Sequence, residues 1–339
     1  MRSPTTNFPR GMTVLTPVVM LLTATLAIAL SCASALTLLQ HTQRYQIHYE
    51  RQSHSAGKKL NDIVARLRTT EDTSRLADET GSEILQSTHI TDAGVPLESY
   101  AVSLRYGDAD SLVVSQQAVR YPILLRRPPA ALISSTPLPA GLTVQVYADG
   151  VPAVWSAHKI AGIRLSRCDS DALHSCLPDT ITSPATFPED MIDWLFGQPA
   201  PVLSAAMFPT ISLITGCDSA DTDSVPVLWI EAHCRLSPGQ TLGSASAPVL
   251  LIIQNGRLTL PEGSKIVGMV LMLQRDSARR YTVIMADTAS LTGTLVSLTQ
   301  LDASSRLNLI YRPDVLSRLQ QTPALRAITL IPGSWHDFD

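Results

Sequence analysis

The stretch Val227–Gln274, "VLWIEAHCRLSPGQTLGSASAPVLLIIQNGRLTLPEGSKIVGMVLMLQ", decides how this chain is read. Short apolar runs ("VLWI", "VLLIIQNG", "RLTL", "KIVGMVLML") are separated by Gly, Asn, Pro or Ser about every 8–12 residues, which is strand-and-turn spacing. "YTVIMADTASLTGTLVSLTQLD" and "SSRLNLIYRP" continue the style towards the C-terminus. Two architectures fit. In a parallel β-solenoid, short strands stack rung on rung around a continuous apolar column. In an antiparallel sandwich, hairpin turns recur at a similar spacing. No strict repeat separates them.

Upstream, "SYAVSLRYG", "SLVVSQQAVRYPILLRR" and "GLTVQVYADG" alternate apolar and polar residues between breakers, as strands do. "RRPPAALISSTPLPAG" (Arg126–Gly141) reads as an extended, proline-held connection. "ITSPATFPEDMIDWLFGQPA" predicts a short helix from Pro188 to Phe196, ended by Gly197. The composition agrees: 5% aromatic, 16% charged, and rich in Val, Ile, Leu, Thr and Ser, as in a β-rich extracytoplasmic protein. A net charge of -3 gives no reason to expect nucleic acid or an acidic polymer as a partner.

The N-terminus is different in kind. "RGMTVLTPVVMLL" (Arg10–Leu22) passes from a positive charge and a glycine straight into apolar sequence, and Met12–Leu39 holds no Asp, Glu, Lys, Arg or His. As a helix those residues reach about 42 Å, more than the ~30 Å hydrocarbon core. Signal-peptide apolar regions run about 7–15 residues, so simple removal fits poorly, although "SCASA" (Ser31–Ala35) offers small residues for cleavage. Beyond the span, Leu60, Ile63, Val64 and Leu67 fall on one helical stripe, which predicts an amphipathic continuation packed on its own domain, with Gly57 its weak point.

Arg2 and Arg10 precede the span while Arg44, Arg51, Lys58 and Lys59 follow it, so charge alone does not orient it. The cysteines do more. Cys32 lies inside the span, leaving Cys168, Cys176, Cys217 and Cys234 beyond it, an even number that fits two disulfides in an oxidising compartment. Cys168 and Cys176 bracket a short loop, and Cys217 and Cys234 flank the "VLWIEA" strand. Four reduced thiols are the alternative. Zinc has neither CxxC spacing nor a histidine cluster.

In this region the chain resembles the PilX-like assembly proteins of bacterial type IV pili, a minor-pilin-like group. The residues that carry the likeness are Cys217, then "LWIEAHC", then "LGSASAPVLLIIQNGRLTLPEGSKIVGMVLM", with the ending "IPGSWHDFD" and the "VPAVWSAHKIAG" strand. It covers roughly residues 10–60 loosely and 145–339 better. The resemblance implies a leader, 1–11, cut by prepilin peptidase between Gly11 and Met12, so that the whole apolar helix stays on the mature protein. It also implies an inner-membrane protein with a periplasmic ectodomain, partnered by other minor pilin-like subunits and the pilus assembly machinery, and acting in assembly, priming or tip capping. Two departures stand out. Where pilins carry Glu at the fifth position after the cleaved glycine, this chain has Thr16, followed by Pro17, and "ERQSHSAGKKLND" replaces the usual small and acidic stretch. The alternatives are an uncleaved signal anchor and a surface structural or adhesive protein outside any pilus.

Little points to catalysis. His158, His174, His233 and His336 are scattered, "GSASA" (Gly243–Ala247) lacks the GxSxG elbow, and "DSADTD" (Asp218–Asp223) lacks the EF-hand pattern. No enzyme, cofactor or metal is expected. The expected fold is α+β: transmembrane helix 12–39, amphipathic helix 40–86, β-rich region 87–200 and β-rich, solenoid-like region 201–339.

Overall fold

The computed structural model describes residues 12–90, 95–106, 112–147, 152–168, 180–182, 186–208, 210–218, 220, 226–274 and 280–337; for 12–16, 106, 166–168 and 180–182 it describes the backbone alone. It opens with α1 (Met12–Leu67), α2 (Thr73–Thr80), β1 (Ser82–Ile90), β2 (Pro96–Tyr106) and β3 (Leu112–Pro122). Next come β4 (Leu132–Ser134), β5 (Thr143–Tyr147), β6 (Val154–Ser156), β7 (Arg164–Cys168), β8 (Thr180–Thr182), α3 (Met191–Phe196) and β9 (Ser212–Ile214). Then follow β10 (Val227–Ile230), β11 (Cys234–Arg235), β12 (Thr241–Leu242), β13 (Val249–Gln254), β14 (Leu258–Leu260), β15 (Lys265–Leu273) and β16 (Arg280–Tyr281). The chain closes with β17 (Val283–Met285), β18 (Ser290–Ser297), β19 (Gln300–Leu301), β20 (Arg306–Ile310), α4 (Pro313–Gln321) and β21 (Arg326–Leu330).

The first unit packs the second half of α1 on an antiparallel sheet of order β1-β2-β3-β21. Ala56, Leu60, Ile63 and Leu67 are fully buried against Tyr100, Val102, Leu104, Val114 and Ala118. The stripe read from the sequence is therefore the docking face, and each large side chain in it contributes about 1.5–3 kcal/mol. The helix does not reach residue 86. It ends at Leu67, and α2 follows, held by the Asp72 cap on Arg75 N and by Gly81 in the left-handed conformation. β1 then begins at Ser82. The short acidic and polar stretch "RTTED" supplies this break: Asp72 caps a new helix start better than it continues an old one.

Arg120 pins the end of α1. Only 5% exposed, it donates from Nη1 to the carbonyls of Leu67 and Thr70, each at 2.7 Å. Its Nε donates to Glu98 at 2.5 Å, and its Nη2 also lies against that carboxylate. The guanidinium sits 5.2 Å from the centre of the Tyr100 ring, whose hydroxyl donates to Glu98 at 2.6 Å. The last carbonyls of a helix have no partner within it, and here a buried cation supplies one. Burial pushes the Glu98 pKa up, but the Tyr100 hydrogen bond and the Arg120 charge outweigh it and hold it below its ordinary value.

Strands β4 to β20 form the second unit, inserted between β3 and β21. Entry and exit are adjacent, with Ile123 N donating to Leu325 O at 2.6 Å. Pairing in its large sheet is parallel throughout, which removes the antiparallel sandwich. One row runs β9-β10-β13-β15-β18-β4-β6-β8, placing Leu213, Trp229, Ile252, Leu271, Val296, Ile133, Trp155 and Ile181 in one column. The second row runs β11-β14-β17-β20-β5-β7. The sheet curls from one row into the other through the long strands β15 and β18. The spatial order differs from the sequence order: residues 132–182 continue the stack after the strands of 212–310. The sequence division at residue 200 is thus not structural, and β21, at the far C-terminus, belongs to the first sheet.

Burial explains the runs. In β13 and β15 nearly every residue is buried, because both faces are covered, and such parallel strands read as continuous apolar sequence. In β5 and β20 burial alternates, so one face meets solvent. Gly268 and Gly293 pair in register where β15 and β18 bend, with φ of 144° and 133°. A Cβ on Gly293 would collide with the Gly268 carbonyl, and one on Gly268 with the Val249 carbonyl. The short helix expected at Pro188–Phe196 forms as α3, begun by the Asp190 cap and ended by Gly197.

Arg120→Met is expected to cost about 3–5 kcal/mol in denaturant unfolding of the full chain, because it strands Glu98 and the carbonyls of Leu67 and Thr70. Since a lowered carboxylate pKa stabilises above the unfolded value, about 4.3, and is lost as pH falls through the folded one, the variant should also be less sensitive to acid. A loss below about 1 kcal/mol would contradict this role. Gly293→Ala should cost about 1–3 kcal/mol from backbone conformation alone, with more from the collision, and no loss would place the bend elsewhere.

Candidate assembly surface

The first half of α1 stands clear of the rest of the molecule. Met20 and Leu21 are each 68% exposed, and Leu26, Ile28, Leu30 and Leu38 are similarly bare. This is one N-terminal helix long and apolar enough to cross a membrane, consistent with single-pass anchoring. Five of its described hydroxyls need no water: Thr23, Thr25, Ser34 and Thr37 each donate to the carbonyl three residues back, and Ser31 to the carbonyl four back, all at 2.8–2.9 Å. Such internal pairing is what a nonaqueous setting requires. Tyr45, 71% exposed, sits just past the apolar stretch, where interfacial aromatics belong.

Farther along, the C-terminal segment clasps the helix. The Trp335 ring lies 3.3 Å from where a Cβ on Gly57 would stand. The weak point of the helical pattern is therefore a seat for an aromatic ring, and α1 runs unbroken through it. The Tyr49 hydroxyl donates to Asp337 Oδ2 at 2.7 Å, and His336 exchanges backbone hydrogen bonds with Ser115 at 2.8 and 2.9 Å. The ending "PGSWHD" thus binds α1 and β3 together.

Gly11 lies outside the described residues, and Met12 is the first residue of α1. Cys217 and Cys234 form a disulfide, Cα atoms 5.0 Å apart, which ties the approach to β10 to β11. Cys168 ends β7, and Cys176 lies outside the described residues. Cys32 is an exposed free thiol on the apolar half of α1. Trp155 and Trp229 are core residues, the Trp155 ring lying tilted against Phe187 with centroids 4.8 Å apart.

The scattered polar residues stay scattered. His233 Nδ1 accepts from Arg257 N at 3.1 Å, His158 is exposed in a turn, and His174 is outside the described residues. Ser244 and Ser246 bond each other at 3.0 Å. Most of the Asp218–Asp223 stretch is not described. Among the described residues no three of His, Cys, Asp and Glu gather as metal ligands would. Arg120 went unnoticed in the sequence, since one arginine in a strand carries no signal of the carbonyls it will meet. Comparison of the chain with family models, characterised proteins and solved structures gives no match.

Replacing both Cys217 and Cys234 by Ala is expected to cost about 3 kcal/mol, given the loop they close, and to lower the denaturant midpoint accordingly. An unchanged midpoint would leave the bond without a stabilising role.

Proposed function

We propose that this chain is a type IV pilus accessory, minor-pilin-like subunit that acts in pilus assembly, priming or tip capping. The observation that carries the reading is one unbroken helix with two environments: an apolar half left bare and a second half docked on a four-stranded antiparallel sheet. In this reading the bare half lies in the inner membrane and then packs beside the helices of other minor pilin-like subunits. The leader is cut between Gly11 and Met12. The ectodomain faces the periplasm, and the Cys217–Cys234 disulfide supports that side, since such bonds persist in oxidising compartments.

Two features favour an end position over the shaft. Thr16 offers no carboxylate to a neighbour's N-terminal amine. The segment 123–325, inserted into the pilin-like sheet, adds bulk that close lateral packing would have to accommodate. We read that segment as one β-solenoid, with about 20–25 residues per circuit, within the range of stacked repeats. The columns running through eight strands support this. The alternative, a membrane-anchored surface or adhesive protein outside any pilus, draws on the exposed face of that unit.

Mass spectrometry of the native N-terminus is expected to find a mature chain beginning at Met12, and extraction in mild detergent is expected to bring other pilin-like subunits with it. A chain beginning at Met1, purified alone and dispensable for piliation, would sink the proposal.

A further inference from the structure

The row β11-β14-β17-β20-β5-β7 keeps one face in solvent. In register across it stand Arg235, Thr259, Ile284, Arg306, Thr143 and Arg164. The inner neighbours Leu258, Val283, Leu307 and Val144 are buried, so this column points outward. Arg235, Arg306 and Arg164 are exposed, as is Arg257, next to the column on β14's approach. The ion pairs among the described residues use other arginines, namely Arg66, Arg75, Arg120, Arg312 and Arg326. The acids Glu262 and Asp287 lie on the flank, beside Ile284 and Arg306.

With strands about 4.8 Å apart, Arg235 and Arg306 are about 14 Å apart, and Arg306 and Arg164 about 10 Å. The result is a strip of cations crossing the strands, about 24 Å long. Arginine presents a fork that matches carboxylate and phosphate groups, and by the same planar geometry sulfate. Between the arginines lie threonine hydroxyls and one apolar side chain, Ile284, 42% exposed. Single-stranded nucleic acid sites rely on aromatic platforms for stacking, and this column has none. Reading the sequence of a duplex takes an element that enters its groove, and strands lying side by side in a sheet present none.

We propose that this face binds a linear acidic polysaccharide laid along the arginine column, across the strands. The guanidiniums hold its carboxylate or sulfate groups, the threonines meet its hydroxyls, and Ile284 meets an apolar sugar face. Nothing in that binding requires a filament.

The test uses the full-length protein in uncharged detergent, with polygalacturonate, heparin, uncharged dextran, and single- and double-stranded DNA as probes. Binding to polygalacturonate or heparin is expected, with none to dextran, and with affinity falling as salt rises. Arg164→Gln and Arg306→Gln should each weaken binding roughly threefold to fivefold. The combined R164Q/R235Q/R306Q variant should lose it while keeping the parent unfolding temperature, and Lys59→Gln, on α1, should bind as the parent does. Indifference between acidic polysaccharide and dextran would overturn the assignment. So would undiminished binding by the triple variant, or tighter binding to DNA than to either polysaccharide.

Discussion

Everything else hangs on the contact between the Ala56–Leu67 face of α1 and the four-stranded sheet. That face is the only described apolar part of α1 removed from solvent, and Arg120 closes it by answering the Leu67 carbonyl at the helix end and the Thr70 carbonyl just beyond with a buried cation. Without it, the apolar rod and the large strand unit would be joined by a polar hinge. With it, the direction of the rod is set by packing, and the Trp335 and Asp337 contacts at Gly57 and Tyr49 extend the grip by two more turns of helix.

The parallel unit is tolerated as an insertion because its ends come back together. Ile123 and Leu325 share a backbone hydrogen bond, and Gln320 Nε2 donates to the carbonyl oxygens of Leu124 and Leu125 at 2.8 and 3.1 Å. The sheet sees only a crossover between β3 and β21, whatever its length. A domain whose termini are adjacent can be lodged in a loop without disturbing its host. The glycine pair at 268 and 293 shows the price of the curl inside that unit: the backbones approach so closely that a side chain at either position has nowhere to go.

What could be read from the sequence follows from range. The Leu60, Ile63, Val64, Leu67 stripe is a local pattern, and it marked the docking face. The apolar N-terminal run and the α3 stop at Gly197 are local too. The pairing of the strands is not. β13 and β15 are buried on both faces, so their alternation, the usual sign of a strand's orientation, is erased. The placement of residues 132–182 after 212–310 leaves no trace in the chain order. Arginines 164, 235 and 306 belong to three separate stretches and fall into one line only through the register of six strands.

In the proposed function, the bare half of α1 serves two surroundings in turn. A helix moving from lipid to a packed bundle exchanges one apolar environment for another, so hydrophobic transfer contributes little and close packing decides. An unpaired hydroxyl would upset that balance, since it would favour whichever setting offered a partner. Here Thr23, Thr25, Ser31, Ser34 and Thr37 already spend their protons on their own helix. Their small size lets a neighbouring helix come near without stranding a polar atom. A surface so prepared is nearly indifferent between lipid and sibling helices, which is the property that a subunit stored in a membrane and later drawn into an assembly would need.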